Sequence, residues 1–210
     1  MVGARLVKIG WGLGIAVCGA VILTVTGCIR SSGGAWYFKE APLPEGWPEL
    51  TPVDEVEIRA YPTYRAAVVD DGERMDPMFR SLFQHISTND IPMTAPVDMT
   101  YEPSADGGDD RMTGMAFLYR TRDLGPLGAD GVVRVEDVPP QAYASTGVRG
   151  GYTQESFDVG LARVRAWLAS QTAWRSDGSP RFLGYNSPFV PWFWRYGEVQ
   201  VPVVRHAVDG

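Results

Sequence analysis

Few side chains in this sequence are of the catalytic kind. Its two histidines are His85 and His206, and its two cysteines are Cys18 and Cys28. No phosphate-cradling glycine loop, two-histidine metal spacing or Gly-x-Ser-x-Gly elbow occurs. The denser signal is aromatic. Phe189, Trp192, Phe193 and Trp194 follow one another in a loop stiffened by Pro188 and Pro191, so less entropy is lost when something docks there. Ring faces of this kind can stack on a flat apolar body. Arg80 and Arg195 could pair with carboxylates, since guanidinium matches their geometry. Such residues point to binding a flat hydrophobic ligand more than to turnover. Each also has a plainer reading: aromatic-proline loops close barrel ends, and exposed arginines keep a surface soluble.

The ends of the chain bear on its location. Arg5 and Lys8 precede an uncharged stretch from Ile9 to Gly27, the pattern of an export signal. It ends Val25-Thr26-Gly27-Cys28, which resembles the lipobox of bacterial lipoproteins and makes Cys28 the expected lipidation site. The alternative is an uncleaved anchor, since the stretch would span about 28 Å as a helix. Either way the domain is expected at the bacterial cell envelope, on the periplasmic or extracellular face. Removing residues 1–27 takes away two of 19 basic residues and none of 25 acidic ones, so the net charge moves from −6 to −8. An acidic domain argues against nucleic acid. With Cys18 in the signal and Cys28 lipidated, a disulfide or a cysteine metal site is excluded.

Behind the signal, residues 28–52 are expected to be a tether, flexible at Ser31–Gly34 and stiffened by prolines. From Val53 the residues alternate as in a half-buried strand, interrupted by Pro62 and resumed at Ala66–Val69. Asp76-Pro77 is expected to open a helix, with Asp76 as its cap and Phe79, Leu82, Phe83 and Ile86 on its buried stripe. His85 falls at the edge of that stripe. A hairpin over 91–120 follows, with a polar tip at 104–110. The order then repeats. Strands interrupted by Pro139-Pro140 precede a helix capped by Thr153, with Phe157, Leu161, Val164 and Leu168 inward. A last hairpin encloses a loop at Asn186–Tyr196, and residues 206–210 are a tail. The chain reads as a duplicated βαββ unit, α+β in class. Two such units could share one sheet or barrel with two helices outside.

Two segments carry a resemblance. Ile91-Pro92-Met93-Thr94-Ala95-Pro96-Val97 and Tyr185-Asn186-Ser187-Pro188-Phe189-Val190-Pro191-Trp192-Phe193 look like the signature stretches of the SOUL haem-binding family, and Glu198–Pro202 resembles its last strand. The resemblance covers about residues 53–205. It implies a distorted antiparallel β-barrel with two flanking helices and non-covalent binding of haem or a related tetrapyrrole. The implied cleft lies between Pro77–Ser87 and Pro188–Gly197. That makes Met78, Arg80, Leu82, His85, Pro188, Phe189, Trp192 and Arg195 the expected contacts, and His85 the expected iron ligand. Met78 and Met93 are softer candidates, as haem also accepts thioethers.

Two further readings stay open. The SOUL fold is similar to that of GyrI-like effector-binding domains, in which a buried glutamate beside aromatic rings holds small compounds. On that reading Glu198 would bind, or help hydrolyse, another hydrophobic molecule, because a desolvated carboxyl has a raised pKa. The third is a structural envelope protein docking a partner through Trp192–Trp194.

Overall fold

The computed structural model of the protein describes residues 29–70, 74–104 and 109–206. The export segment, Cys28, the centre of the 104–110 tip and residues 207–210 lie outside the described residues. Alternating side chains build the strands β1 (Ile29–Ser32), β2 (Ala35–Phe38), β3 (Val56–Tyr61), β4 (Tyr64–Asp70), β5 (Val97–Glu102), β6 (Arg111–Leu118), β7 (Gly128–Asp130), β8 (Val133–Val138), β9 (Gln141–Arg149), β10 (Trp174–Ser176), β11 (Arg181–Gly184) and β12 (Tyr196–Arg205). Two helices, α1 (Met75–Thr88) and α2 (Gln154–Ala169), pack on the sheet. Ten strands form one antiparallel sheet in the order β3-β9-β12-β11-β5-β6-β4-β8-β7, with β10 also on β12.

The expected barrel is not closed. β3 and the three-residue β7 end the sheet, and no ladder joins them. Instead of continuing one kinked strand, Pro62 hands the chain from β3, which pairs β9, to β4, which pairs β6 and β8. Proline lacks the N–H a ladder needs, so the pairing breaks there. The sheet curls, and its two halves meet through side chains: Tyr61 and Tyr143 from one side pack with Tyr64, Ala66 and Leu118 from the other.

One face of the sheet is apolar and carries both helices. Phe182, Val199 and Val201 there meet Phe157, Leu161 and Val164 of α2, each burial contributing roughly 1.5–3 kcal/mol. Tyr101 stacks on Phe157 with ring centroids 3.6 Å apart. Thr153 caps α2 as expected, its hydroxyl accepting from the Ser156 amide. α1 differs. Its cap is Arg74, without a side-chain bond, and Asp76 lies in the first turn, where its charge still suits the helix dipole. Its buried residues are Met78, Leu82, His85 and Ile86. Phe83 is exposed and stacks on Phe79, which is half-exposed and meets the buried Phe117 on its other side.

The stretch expected to be a tether is folded. Gly33 and Gly34, both at positive φ, turn β1 into β2, the backbone a tight hairpin needs. Tyr37 and Leu50 are buried with Leu183, Tyr185 and Tyr196. Farther along, Val53 bridges Gly147, whose amide donates to the Pro52 carbonyl at 3.2 Å. A Cβ on Gly147 would overlap the carbonyl oxygens of Thr51 and Pro52. Gly147→Ala is therefore expected to lift this segment and to destabilise the domain by about 1–3 kcal/mol, read as a lower urea midpoint. An unchanged midpoint would show that the contact is not tight.

Candidate functional site

An apolar cleft of about 380 Å³ opens on the helical side of the sheet. The first turns of α1 supply Met75 and Phe79. The 93–97 segment, bent by a cis Ala95-Pro96 bond, supplies Met93 and Ala95. Val97, Met99 and Met115 form the floor, because alternation turns them toward the helices. The far wall is Tyr152 with residues 184–188. Both signature segments thus meet at this one place.

Polar groups fix the rim. The Ala95 amide donates to the Pro42 carbonyl at 3.0 Å, and the Thr94 hydroxyl to the Leu118 carbonyl. Glu40 accepts from the Ser187 hydroxyl at 2.6 Å and the Ser187 amide at 2.8 Å. Asn186 donates to the Phe38 carbonyl at 2.7 Å and accepts from the Tyr196 amide at 3.0 Å.

Of the eight expected contacts, Pro188 lines this cleft and the other seven lie elsewhere. Met78 and Leu82 are in the core behind it. Arg80 is exposed on α1. Phe189 is almost fully exposed, and Trp192 borders a separate hollow with Arg149 and Thr153. Arg195 staples its own loop, donating to the carbonyls of Val190 at 2.9 Å and Pro188 at 2.8 Å. His85 is buried with both ring nitrogens occupied. Nδ1 lies 2.6 Å from Asp130 and Nε2 2.8 Å from the Tyr119 hydroxyl. Hydrogen bonds from His85 and then Asn89 hold the Asp130 carboxyl below its usual range. Met93, one of the softer candidates, does line the cleft, whereas Met75, Met99, Met115 and Glu40 were missed because nothing local in the sequence marks them as neighbours.

The opposite face of the sheet carries a buried polar network. Along β12, Glu198 and Gln200 point there while Val199 and Val201 point to the helices. Glu198 is fully buried. One carboxylate oxygen accepts from the Thr51 amide at 2.6 Å and the Tyr196 hydroxyl at 2.9 Å. The other accepts from the Tyr185 hydroxyl and the Gln200 amide, each at 3.0 Å, with the Tyr61 hydroxyl at 3.4 Å. Burial pushes this carboxyl up; the Thr51, Tyr196 and Tyr185 hydrogen bonds pull the other way. Burial and then the Glu198 charge push the hydroxyls of Tyr61, Tyr185 and Tyr196 well above their ordinary value, so they remain donors. Trp47 covers this group, donating to the Tyr185 hydroxyl at 3.1 Å. Arg181 extends the network to Asp98 at 2.9 Å. Asp98 Oδ1 and Arg181 Nη2 are buried without a partner among the described residues.

A preformed apolar cleft with a few polar groups at its rim is the usual form of a small-molecule site, and the fold is shared with proteins of known structure. The C-terminal domain of EcmrR superposes with a TM-score of 0.58 at 14% identity, covering 72% of this chain and 98% of that one. Against the EcmrR chain of an EcmrR–DNA complex the scores are the same, and this chain spans 58% of it. A hydrolase from Listeria innocua gives a TM-score of 0.53 at 11% identity, covering 73% and 94%. No curated protein matches the chain. A family model described as SOUL heme-binding protein matches residues 48–202, and the chain belongs to that family.

Proposed function

We infer that the methionine-lined cleft holds haem or a related tetrapyrrole without a covalent bond, in a protein anchored at the envelope through Cys28. The observation that carries this is the meeting of both signature segments around one apolar cavity. Its volume is at the lower end of the roughly 300–1,000 Å³ of ligand sites, which suits a macrocycle held by one edge with its carboxylates at the mouth. Phe79 and Tyr152 offer ring faces, and Met93, Met99 and Met115 supply an adaptable, polarisable wall. Bound haem would bring an iron able to take a soft axial donor, and the thioethers at the cleft are of that kind. His85 does not fit that role, since both its nitrogens are occupied away from the cleft.

Haemin titration of the full chain in lipid nanodiscs, followed by the Soret band, tests this reading. Saturable one-to-one binding is expected. Phe79→Asp, at a half-exposed position on the cleft wall, is expected to weaken it about tenfold or more, a loss of roughly 1.4 kcal/mol. His85→Ala is expected to leave the bound spectrum unchanged. Adsorption without saturation, or indifference to Phe79→Asp, would remove haem from this cleft.

A second reading rests on Glu198. A buried carboxylate ringed by tyrosine hydroxyls is suited to a small cationic or aromatic compound. That space is filled by Trp47 and Thr51, so binding there needs residues 47–53 to withdraw. Glu198→Gln would then abolish binding of such a compound and spare haemin, whereas the cleft reading makes Phe79 the sensitive position.

A further inference from the structure

Trp36, Phe38 and Trp192–Trp194 form one connected aromatic surface, and Cys28 lies one residue ahead of the hairpin that carries its first members. Trp192 and Phe193 have ring centroids 5.7 Å apart, and Phe193 and Trp194 5.3 Å. Trp194 lies 5.8 Å from Phe38, which is 6.1 Å from Trp36. Phe189, in the same loop, is 94% exposed, and Trp192 is 64% exposed. Contiguous exposed apolar surface of this kind is rare unless something covers it.

Continuity along the chain identifies the cover. The uncharged residues 9–27 stop one residue short of β1. Ile29, the first residue of β1, is the register partner of Phe38, and Phe38 touches Trp194. No slack chain therefore separates the patch from Cys28, the proposed point of attachment to the bilayer. Tryptophan is also the side chain that favours the headgroup layer of a membrane. Arg149 reinforces the surface, its guanidinium 3.7 Å over the Trp36 ring and donating to the Trp194 carbonyl at 3.1 Å. The domain is acidic overall, so attraction to anionic lipid would not bring it down; aromatic insertion would.

We propose that Trp36, Phe38, Phe189 and the Trp192–Trp194 turn form a membrane-docking face, which lies in the headgroup layer of the bilayer that holds the Cys28 anchor. Docking fixes the orientation of the domain. Pro188, on the cleft wall, adjoins Phe189, so docking brings that wall of the cleft next to the bilayer. The docking face stands whether or not the cleft binds haem.

The test uses the protein anchored through Cys28 and carrying Trp11→Phe, so that no tryptophan stands ahead of the anchor, in phosphatidylcholine nanodiscs with plain or acyl-brominated lipid. Bromine quenches tryptophan only at close range. Emission is expected to be quenched strongly in brominated discs. Adding Trp36→Phe, Trp192→Phe and Trp194→Phe should remove most of that quenching while leaving the thermal midpoint within a few degrees. Trp174→Phe is the control. Trp174 pairs with Arg205, at the other end of β12 from Tyr196, on the order of 30 Å away, and its loss should leave the quenching intact. No quenching in the starting protein, or equal quenching with and without the patch tryptophans, would overturn the proposal and leave the surface to a protein partner.

Discussion

Arg181→Met is expected to destabilise the domain by roughly 3–5 kcal/mol, the range for breaking a buried ion pair from one side. Arg181 is 4% exposed. Its guanidinium donates to Asp98, the Tyr64 hydroxyl and Gln200, each at 2.9 Å, and lies 3.8 Å over the Tyr143 ring. Burial already raises the Asp98 carboxyl even with that cation beside it. Without the cation, Asp98 would be a buried carboxyl with no ionic partner, and it would keep its proton to higher pH. The change is expected as a fall in urea midpoint at constant slope, since the surface exposed on unfolding is nearly the same. Asp98→Leu combined with Arg181→Met should recover most of the loss, because replacing both charges by apolar groups removes the desolvation penalty with the attraction. A single variant within 1 kcal/mol of the parent, or a double variant no better than the single, would show that the lone buried carboxyl is not the source of the loss.

That pair also shows where sequence reading ends. Asp98 and Arg181 are 83 positions apart, and no periodicity links them; their adjacency comes from β5 pairing β11. The same holds for His85. Its place at the edge of an apolar stripe suggested a surface or ligand role, and Asp130, 45 positions on, gives it a buried one. What was legible was local. Thr153 announced α2, alternation marked the strands, and Pro62 and Pro139 marked breaks in pairing. The two signature segments were recognisable because their residue order is itself the signal. The face of α1 was misjudged because Phe79 and Phe83 look like core by type; the cleft leaves the first half-exposed, and the second stacks on it. The N-terminal hairpin was missed for an opposite reason. Ser-Ser-Gly-Gly has a linker's composition, yet two adjacent glycines are also the residues a tight hairpin uses.

The two faces of the sheet divide the work of the domain. The helical face is apolar and stays open at one corner, where the 93–97 and 184–188 segments keep the helices from closing over it. On the other face, buried polar groups bind the chain to itself, with Trp47 and Thr51 laid across them. A cleft that must accept an apolar guest needs surroundings that do not collapse into it. The hydrogen bonds that tie Glu40 to residues 186–187 and Pro42 to Ala95 serve that purpose at the rim.

Glu198→Ala is the second large effect expected, with a loss of roughly 3 kcal/mol or more. Truncation leaves the Thr51 amide and the Tyr185 hydroxyl without their acceptor, while the Tyr196 hydroxyl and the Gln200 amide keep other acceptors, and each buried donor left unpaired costs about 1–3 kcal/mol. Part of that cost is avoided if the Thr51 strap lifts off, so limited proteolysis between residues 47 and 54 should accelerate in the variant. The pH dependence gives an independent check. Burial raises the Glu198 carboxyl above its ordinary 4.5, so between that value and the raised one the folded protein holds a proton that the unfolded chain has released. Stability must then fall as pH rises through this window, with the full contribution present below it. Asp98, also raised by burial, adds a slope of the same sign. Glu198→Gln removes one of the two titrating groups, so its urea midpoint should decline less steeply than the parent's from pH 4.5 upward. Parallel profiles would mean that Glu198 is ionised throughout and that its five donors outweigh its burial. The carboxylate would then be a fixed negative charge under the strap, the condition on which a cationic guest at that site depends.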